Sequence, residues 1–503
     1  MKTDRLWLSD QGDGTYVNPV LHCDYSDPDV IRVGDTYYLT ASSFNYVPGL
    51  PILTSRDLVN WTLSNYALEE IPLPRYRVPQ HAQGVWAPSL RYHEGWFYVF
   101  FGMPDEGIFC VRARNALGKW EKPVCVLPGK GLIDPCPFWD DDGSAWVVHG
   151  YARSRIGFKS ALGIFPMSPD GTKAIGEDHI LYDGRATQPT IEGPKAYKRE
   201  GWYYIFAPAG GVEHGWQTVL RSRRLLGPFE ERVTLRQGDT PVNGPHQGAW
   251  VETQRGESWF LHFQSLGLYG RVLHLQPMRW LEDGWPEMGA GGQPCLRHAK
   301  PSLPTSPMRS LQASDDFSRL GLQWQFMGNP PPGAATVAQR PGWLRLRAFP
   351  TGETLWQCPQ VLSQKLVCPS FSATVRVDAG GLALSQRAGL ALLGDGYAFV
   401  CLERREDGLW LLSGSGDADQ ERVTSCQETP VQWLRLTVNQ TGLNTALAQF
   451  SMSMDGVRFA QVGPVYAPGR HTWVGARTAL FCMSLAQENE GYADFADFRV
   501  EAL

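Results

Sequence analysis

The sequence predicts an all-β chain, a five-bladed β-propeller followed by a β-sandwich, and three observations predict it. First, one phrase recurs five times: a polar residue opens an apolar stretch, which runs through a glycine turn into an aromatic strand. The turn glycines Gly34, Gly95, Gly143, Gly201 and Gly256 lie 61, 48, 58 and 55 residues apart, about the length of one four-stranded blade. Second, 53 Gly, 37 Pro and 19 Trp in 503 residues describe a turn-rich, aromatic-rich β protein, and long stretches of helical period are hard to find. Third, the phrase stops before residue 300 and gives way to short alternating segments. A chain of this length exceeds what one hydrophobic core usually organises, so two domains are expected.

The five copies follow in order. Blade 1 opens at Asp27-Pro28-Asp29 before Gly34 and Tyr37-Tyr38, and blade 2 at Trp86-Ala87-Pro88 before Gly95 and Trp96-Phe97-Tyr98. Blade 3 opens at Asp134-Pro135-Cys136 before Gly143 and Trp146, blade 4 at Glu192-Gly193-Pro194 before Gly201 and Trp202-Tyr203-Tyr204, and blade 5 at His246-Gln247-Gly248 before Gly256 and Trp259-Phe260. The propeller is assigned residues 14–299, and the Pro/Ser-rich stretch 300–314 has linker composition. In 315–503, alternation at 343–347, 371–377, 397–402, 433–438 and 493–500, without intervening helices, fits two stacked sheets.

In a propeller the innermost strand of each blade lines a central channel, so the residues opening these strands converge on one end of it. Here they are Asp27, Trp86, Asp134, Glu192 and His246. Carboxylates at a constricted channel mouth repel one another and lose hydration, which a purely structural propeller has no need of, whereas acid and base chemistry requires such convergence. Asp before Pro is also a common turn starter, which is the structural alternative for Asp27 and Asp134. Glu192 is the less ordinary choice, because an apolar residue would be cheaper to bury there. Asp29 and the run Asp140-Asp141-Asp142 read as structural, the run as a solvated hairpin tip.

Composition excludes several classes. A net charge of −5 without Lys/Arg clusters offers no field for nucleic acid. No apolar run reaches membrane-spanning length, and residues 1–14 are polar, so no membrane partner and a cytoplasmic location are expected. The ten cysteines are scattered singly, as reduced buried side chains would be, and neither they nor the histidines show metal-ligand spacing.

The phrases Asn18-Pro19-Val20, Asp27-Pro28-Asp29-Val30, Ser43-Phe44-Asn45-Tyr46-Val47-Pro48-Gly49, Ser55-Arg56-Asp57-Leu58-Val59-Asn60-Trp61, Val85-Trp86-Ala87-Pro88, Ile133-Asp134-Pro135, Ile191-Glu192-Gly193-Pro194 and Gly244-Pro245-His246-Gln247-Gly248 resemble glycoside hydrolase family 43. Within it, the resemblance is to the two-domain β-xylosidase and α-L-arabinofuranosidase branch, and it covers nearly the whole chain, including a concanavalin-like C-terminal sandwich. It implies Asp27 as the general base that activates water, Glu192 as the general acid, and Asp134 as the carboxylate that tunes and holds the acid. It implies Phe44 and Trp86 as walls of the sugar pocket, Arg271 as a hydrogen-bond donor to the sugar, and His246 as the central channel histidine. No cofactor is required. A calcium ion in the channel, reached by His246 through water, stays open, although one imidazole is a poor ligand for a hard cation. Inversion needs the two carboxyl groups roughly 6.5–9.5 Å apart, which residues from different blades can supply.

The implied substrates are short oligosaccharides ending in arabinofuranose or xylose; Tyr25-Ser26-Asp27-Pro28 is slightly closer in wording to arabinofuranosyl-cleaving members. The resemblance also implies a homo-oligomer, which no residue signals. A galactose-releasing glycosidase and a non-catalytic sugar-binding propeller are the alternatives. The retaining fructan-cleaving propellers expect a Trp-Met-Asn-Asp-Pro-Asn-like segment that this chain lacks.

Overall fold

Tight turns set the blades. In a computed structural model describing residues 6–415, 422–427, 429–486 and 491–503, all five turn glycines have positive φ, from 61° to 85°. At Glu94-Gly95 and Glu200-Gly201 both residues of the two-residue loop are left-handed, the geometry that matches the right-handed twist of a hairpin. Each turn joins an inner strand to an aromatic second strand, and each blade is an antiparallel sheet of four consecutive strands. The inner strands are Asp29–Val33, Trp86–His93, Leu132–Trp139, Lys195–Arg199 and His246–Glu252.

The sheets of the first and last blades share no strand; a short backbone bridge, in which Leu21 and Leu273 exchange both hydrogen bonds, and side chains close the ring. Arg32 Nε donates to the Glu252 carbonyl at 2.8 Å and the Tyr37 hydroxyl to Gln254 at 2.7 Å. Outside the ring, Thr15–Val17 pairs with Arg297–Ala299, and Asn18 donates to the Leu275 and Cys295 carbonyls. Buried ion pairs tie blades together. Asp29 accepts from the Leu90 N–H and from Arg91, while Lys195 donates to the Pro88 carbonyl and the Ser89 hydroxyl across the channel. Asp140 corrects the reading of its run as a solvated tip: its side chain is largely buried and receives Lys198 and Tyr203 from blade 4, whereas Asp141 is exposed.

The C-terminal part stacks two sheets. One runs through Phe371–Asp378, Val431–Gly442 and Tyr492–Ala502, the other through Gln386–Leu393, Tyr397–Arg405 and Arg477–Ser484. All five expected segments fall on strands, with Trp343 one residue outside Leu344–Arg347. Gln386–Leu393 and Arg477–Ser484 escaped the sequence pattern because they are buried on both faces, so apolar and polar positions do not alternate.

Propeller and sandwich share one apolar cluster, in which Tyr25, Trp61, Leu266 and Tyr269 meet Phe317, Trp324 and Leu366. Burying each such side chain is worth about 2 kcal/mol. Backbone bonds stitch the same seam: Val47 and Phe326 exchange both hydrogen bonds, and the Ala476 N–H donates to the Leu268 carbonyl. Arg477, fully buried, donates to Ser363 and Gln325 while its guanidinium lies 4.0 Å from the centre of the Tyr46 ring.

Candidate active site

A recurring backbone kink aims the polar residues into the channel. Asp27 and Asp134 are left-handed, with φ of 55° and 57°, and so are Ala87 and Gln247, just after Trp86 and His246. In blades 2, 3 and 5 the register slips at this point, between Trp86 and Ser89, Ile133 and Cys136, and His246 and Gly248. A bulge of this kind re-aims a side chain that plain alternation would send into the sheet. Left-handed backbone is unfavourable for residues with a Cβ, and such outliers cluster where surrounding structure holds them for function. Glu192 sits in the irregular approach to its strand, between left-handed Thr190 and Gly193, and its N–H donates to the Pro208 carbonyl.

Asp27 is buried and held at both oxygens. Arg271 donates to Oδ1 at 2.6 Å and the Ser42 hydroxyl to Oδ2 at 2.6 Å. Ser42 is itself fixed, because its oxygen accepts the Ala87 N–H at 2.7 Å. Arg271 opens the third strand of blade 5, and its own N–H donates to Asp24 Oδ1. The carboxylate is thereby fixed in one orientation by three blades.

Asp134 and Glu192 form the second group. Asp134 Oδ2 accepts the Gly193 N–H at 2.8 Å, next to Glu192 in the chain. Gly150 lies between them, where a Cβ would stand 3.7 Å from both Asp134 Oδ2 and Glu192 Cα. Burial holds Glu192 up to about 7; the Arg271 cation opposes this, the Asp27 charge adds to it, and Lys159 opposes it. Burial also pushes Asp134 well above the usual carboxylate range, with the charges of Glu192 and Asp27 acting in the same direction. The Gly193 N–H and the Lys195 cation favour the charged form of Asp134 and oppose this rise. The expectation that Asp134 tunes Glu192 takes a different form: removal from water is the largest cause of the rise, and the charges that act on Glu192 are those of Arg271, Asp27 and Lys159.

His246 is fully buried, and neither ring nitrogen has a hydrogen-bond partner in the protein. Its Nε2 lies 3.5 Å from Glu192 Oε1, too long for a strong bond, and burial pushes its pKa down to about 3, so the ring is neutral. Among the described residues no three of His, Cys, Asp and Glu gather as metal ligands, so the donors here match a hard oxygen-seeking cation poorly.

Phe44 and Trp86 stand as neighbours, ring centres 6.5 Å apart, with Phe44 paired to Val85 in both backbone directions. Sequence reasoning missed the residue facing them, Trp473, which the sandwich turn 471–474 carries at φ 67°. Its ring lies 6.5 Å from Trp86 and 5.5 Å from the Arg271 guanidinium. Arg155, 5.5 Å from the Trp86 ring and paired with Asp105, was also missed, as were Ser42, Lys159 and Asp24. None of these opens an inner strand, so the repeat could not point to them.

Known proteins were compared with this chain. The family model for glycosyl hydrolases family 43 matches residues 16–286, and that for the β-xylosidase C-terminal concanavalin A-like domain matches 314–501. A putative β-xylosidase of Xylanibacter ruminicola is 38% identical, over 95% of this chain and 88% of that protein. A non-reducing end α-L-arabinofuranosidase of Bacteroides ovatus is 29% identical, over 84% of this chain and 83% of that one. The solved structure of a xylan β-1,4-xylosidase of Bacillus halodurans superimposes with a TM-score of 0.85 at 25% identity, covering 96% of this chain and 99% of that one.

Proposed function

The chain belongs to family 43 of the glycosyl hydrolases, and from that premise we propose that Asp27, Glu192 and Asp134 make it an exo-acting, inverting hydrolase of terminal pentose units. One observation carries the assignment of roles. Glu192, held up to about 7, faces a channel end where Asp27 is clamped by Arg271 and Ser42. In this reading Glu192 gives its proton to the leaving glycosidic oxygen. Asp27 takes a proton from the water that attacks the anomeric carbon from the opposite face, which inverts the configuration in one displacement. Asp134 positions Glu192 through the Gly193 N–H, and the closeness of the two carboxyl groups disfavours ionising both at once, so the proton given up is readily recovered. Arg271 holds the base and presents its remaining donors to sugar hydroxyls. Phe44, Trp86 and Trp473 wall the pocket against a longer chain on the non-reducing side, which favours terminal residues.

The substrates are short hemicellulose-derived oligosaccharides ending in β-D-xylose or α-L-arabinofuranose. The names of the relatives include both activities, and this supports a dual preference. No helix among the described residues is long and apolar enough to cross a membrane. The cysteines, scattered singly along the chain and mostly buried, suit a reducing compartment, and a cytoplasmic enzyme acting on imported fragments belongs to the same proposal.

The test is release of p-nitrophenol from the β-xyloside, α-L-arabinofuranoside and β-galactoside, with Asp27→Ala and Glu192→Ala run beside the parent enzyme. Hydrolysis of either pentoside is expected. Asp27→Ala should lower kcat about 10³-fold or more on every substrate, whereas Glu192→Ala should lose about 10²-fold more on unactivated xylobiose than on the nitrophenyl substrate, whose leaving group needs little protonation. Equal losses on both would remove Glu192 from the acid role, and turnover of the galactoside alone would overturn the pentose assignment.

A further inference from the structure

A cavity of about 490 Å³ lies at the seam between propeller and sandwich, away from the carboxyl groups of the pocket. It falls within the usual size range for small-ligand sites. Blade 1 supplies Tyr25, Trp61 and Tyr66, the linker supplies Arg309, and the sandwich supplies Arg319, Gln323, Gln364 and Lys365. Three cations line it and no Asp or Glu does. Arg309 and Arg319 make no ion pair among the described residues, and the carboxylate most affected by Arg319, Asp316, is exposed to water. Arg309 and Arg319 are exposed at the rim and Lys365 lies deeper, and such a one-signed balance is uncommon for a cleft that serves packing alone, because like charges gathered around one opening repel.

The polar atoms add a second requirement. The Oε1 atoms of Gln323 and Gln364 are buried without a hydrogen-bond partner, and Gln364 is almost wholly buried. An unsatisfied buried acceptor costs about 1–3 kcal/mol, which a donor on a ligand recovers. A simple anion such as phosphate satisfies the cations but brings few donors at neutral pH; a neutral sugar brings donors but no charge. A molecule with both is a hydroxylated carboxylic acid, and the faces of Tyr25 and Trp61 suit its ring or carbon chain.

The cavity is also wired to the pocket. Lys365 donates to the Asp24 main-chain carbonyl, and its ammonium lies 4.8 Å from the centre of the Tyr25 ring. The Asp24 carboxylate accepts the Arg271 N–H at 2.8 Å on one oxygen and the Gly475 N–H at 2.9 Å on the other. Arg271 holds Asp27, and Gly475 is two residues from Trp473. A ligand that draws Lys365 toward itself loosens the segment from which the base and the pocket wall are both positioned.

We propose that this seam cavity is a second ligand site for a small polyhydroxylated carboxylic acid, of the uronic or aldonic acid class, and that its occupation is transmitted to the catalytic pocket through Lys365 and Asp24. Binding does not depend on the hydrolase reading; the transmission does.

The probe is D-glucuronate, with D-glucose as its neutral counterpart and inorganic phosphate as the bare anion, titrated calorimetrically into the full-length protein. Saturable glucuronate binding is expected, about tenfold or more tighter than either control, and weakened about tenfold in Arg319→Ala, an exposed position whose loss leaves the fold and basal turnover intact. Glucose or phosphate binding as well as glucuronate, or full-strength binding to Arg319→Ala, would overturn the site. In the kinetic arm, saturating glucuronate should change kcat/KM for the p-nitrophenyl pentoside by about fivefold in the parent and leave Arg319→Ala unaffected; no change in a parent that binds glucuronate would overturn the transmission. A protein that binds glucuronate but cleaves no glycoside would overturn the functional reading alone, and active enzyme without glucuronate binding would overturn the site alone.

Discussion

At the scale of single residues, the candidate site gives its carboxyl groups different surroundings. Asp27 meets an arginine and a hydroxyl, while Glu192 lies against a neutral imidazole. With Glu192 as the proposed acid, held at about 7, kcat/KM should fall on the alkaline side with a midpoint near pH 7, and Lys159→Gln, which deletes a cation that lowers Glu192, should move that midpoint to higher pH; a pH–rate profile of both proteins checks this. The same shift has a stability consequence of definite sign. A carboxyl whose folded pKa lies above its unfolded value of 4.5 contributes stability below pH 4.5, and that contribution is lost as pH rises through about 7. Glu192→Gln should therefore unfold at a higher temperature than the parent at pH 8, by about 2 kcal/mol of stability, and show no gain at pH 4. The three carboxylates were legible because each opens a repeat. Ser42 and Asp24 were not, because a residue that orients a catalytic group has no pattern of its own.

At the scale of elements, glycines separate turn geometry from close approach. Gly34 has φ of 61° with open space around its missing Cβ, so only backbone preference is at stake, and Gly34→Ala should cost about 1 kcal/mol with unchanged kinetics. Gly84 has φ of 91°, and a Cβ there would stand 2.3 Å from the Phe44 carbonyl oxygen. Gly84→Ala should cost about 3 kcal/mol and raise KM, because relieving that clash moves Phe44 away from Trp86. Thermal melts paired with Michaelis–Menten curves distinguish the two outcomes. Period-two segments such as Phe371–Asp378 could be read from sequence because their faces differ. The kinks at Asp27, Ala87, Asp134 and Gln247 could not, since a bulge depends on the partner strand it slips against.

At the scale of the whole molecule, the sandwich completes both the core and the pocket. Trp473 comes from the sandwich and stands against Arg271 and Trp86, so Trp473→Ala should raise KM about tenfold for the short substrate while leaving the melting temperature almost unchanged, as expected for a half-exposed residue on a turn. A fall in kcat with KM unaltered would assign Trp473 to the chemistry instead. The local sequence was sufficient for the blade count, the β-class of both parts and the three carboxylates, because turn glycines, strand periodicity and repeated openings are properties of short stretches of chain. Three features were decided only on folding: the hold of Arg271 and Ser42 on Asp27, the upward shift of Glu192 by removal from water, and the arrival of Trp473 opposite Trp86. Each depends on groups tens to hundreds of residues apart being brought within a few ångströms and removed from water, and neither proximity nor dehydration is a property of any one segment.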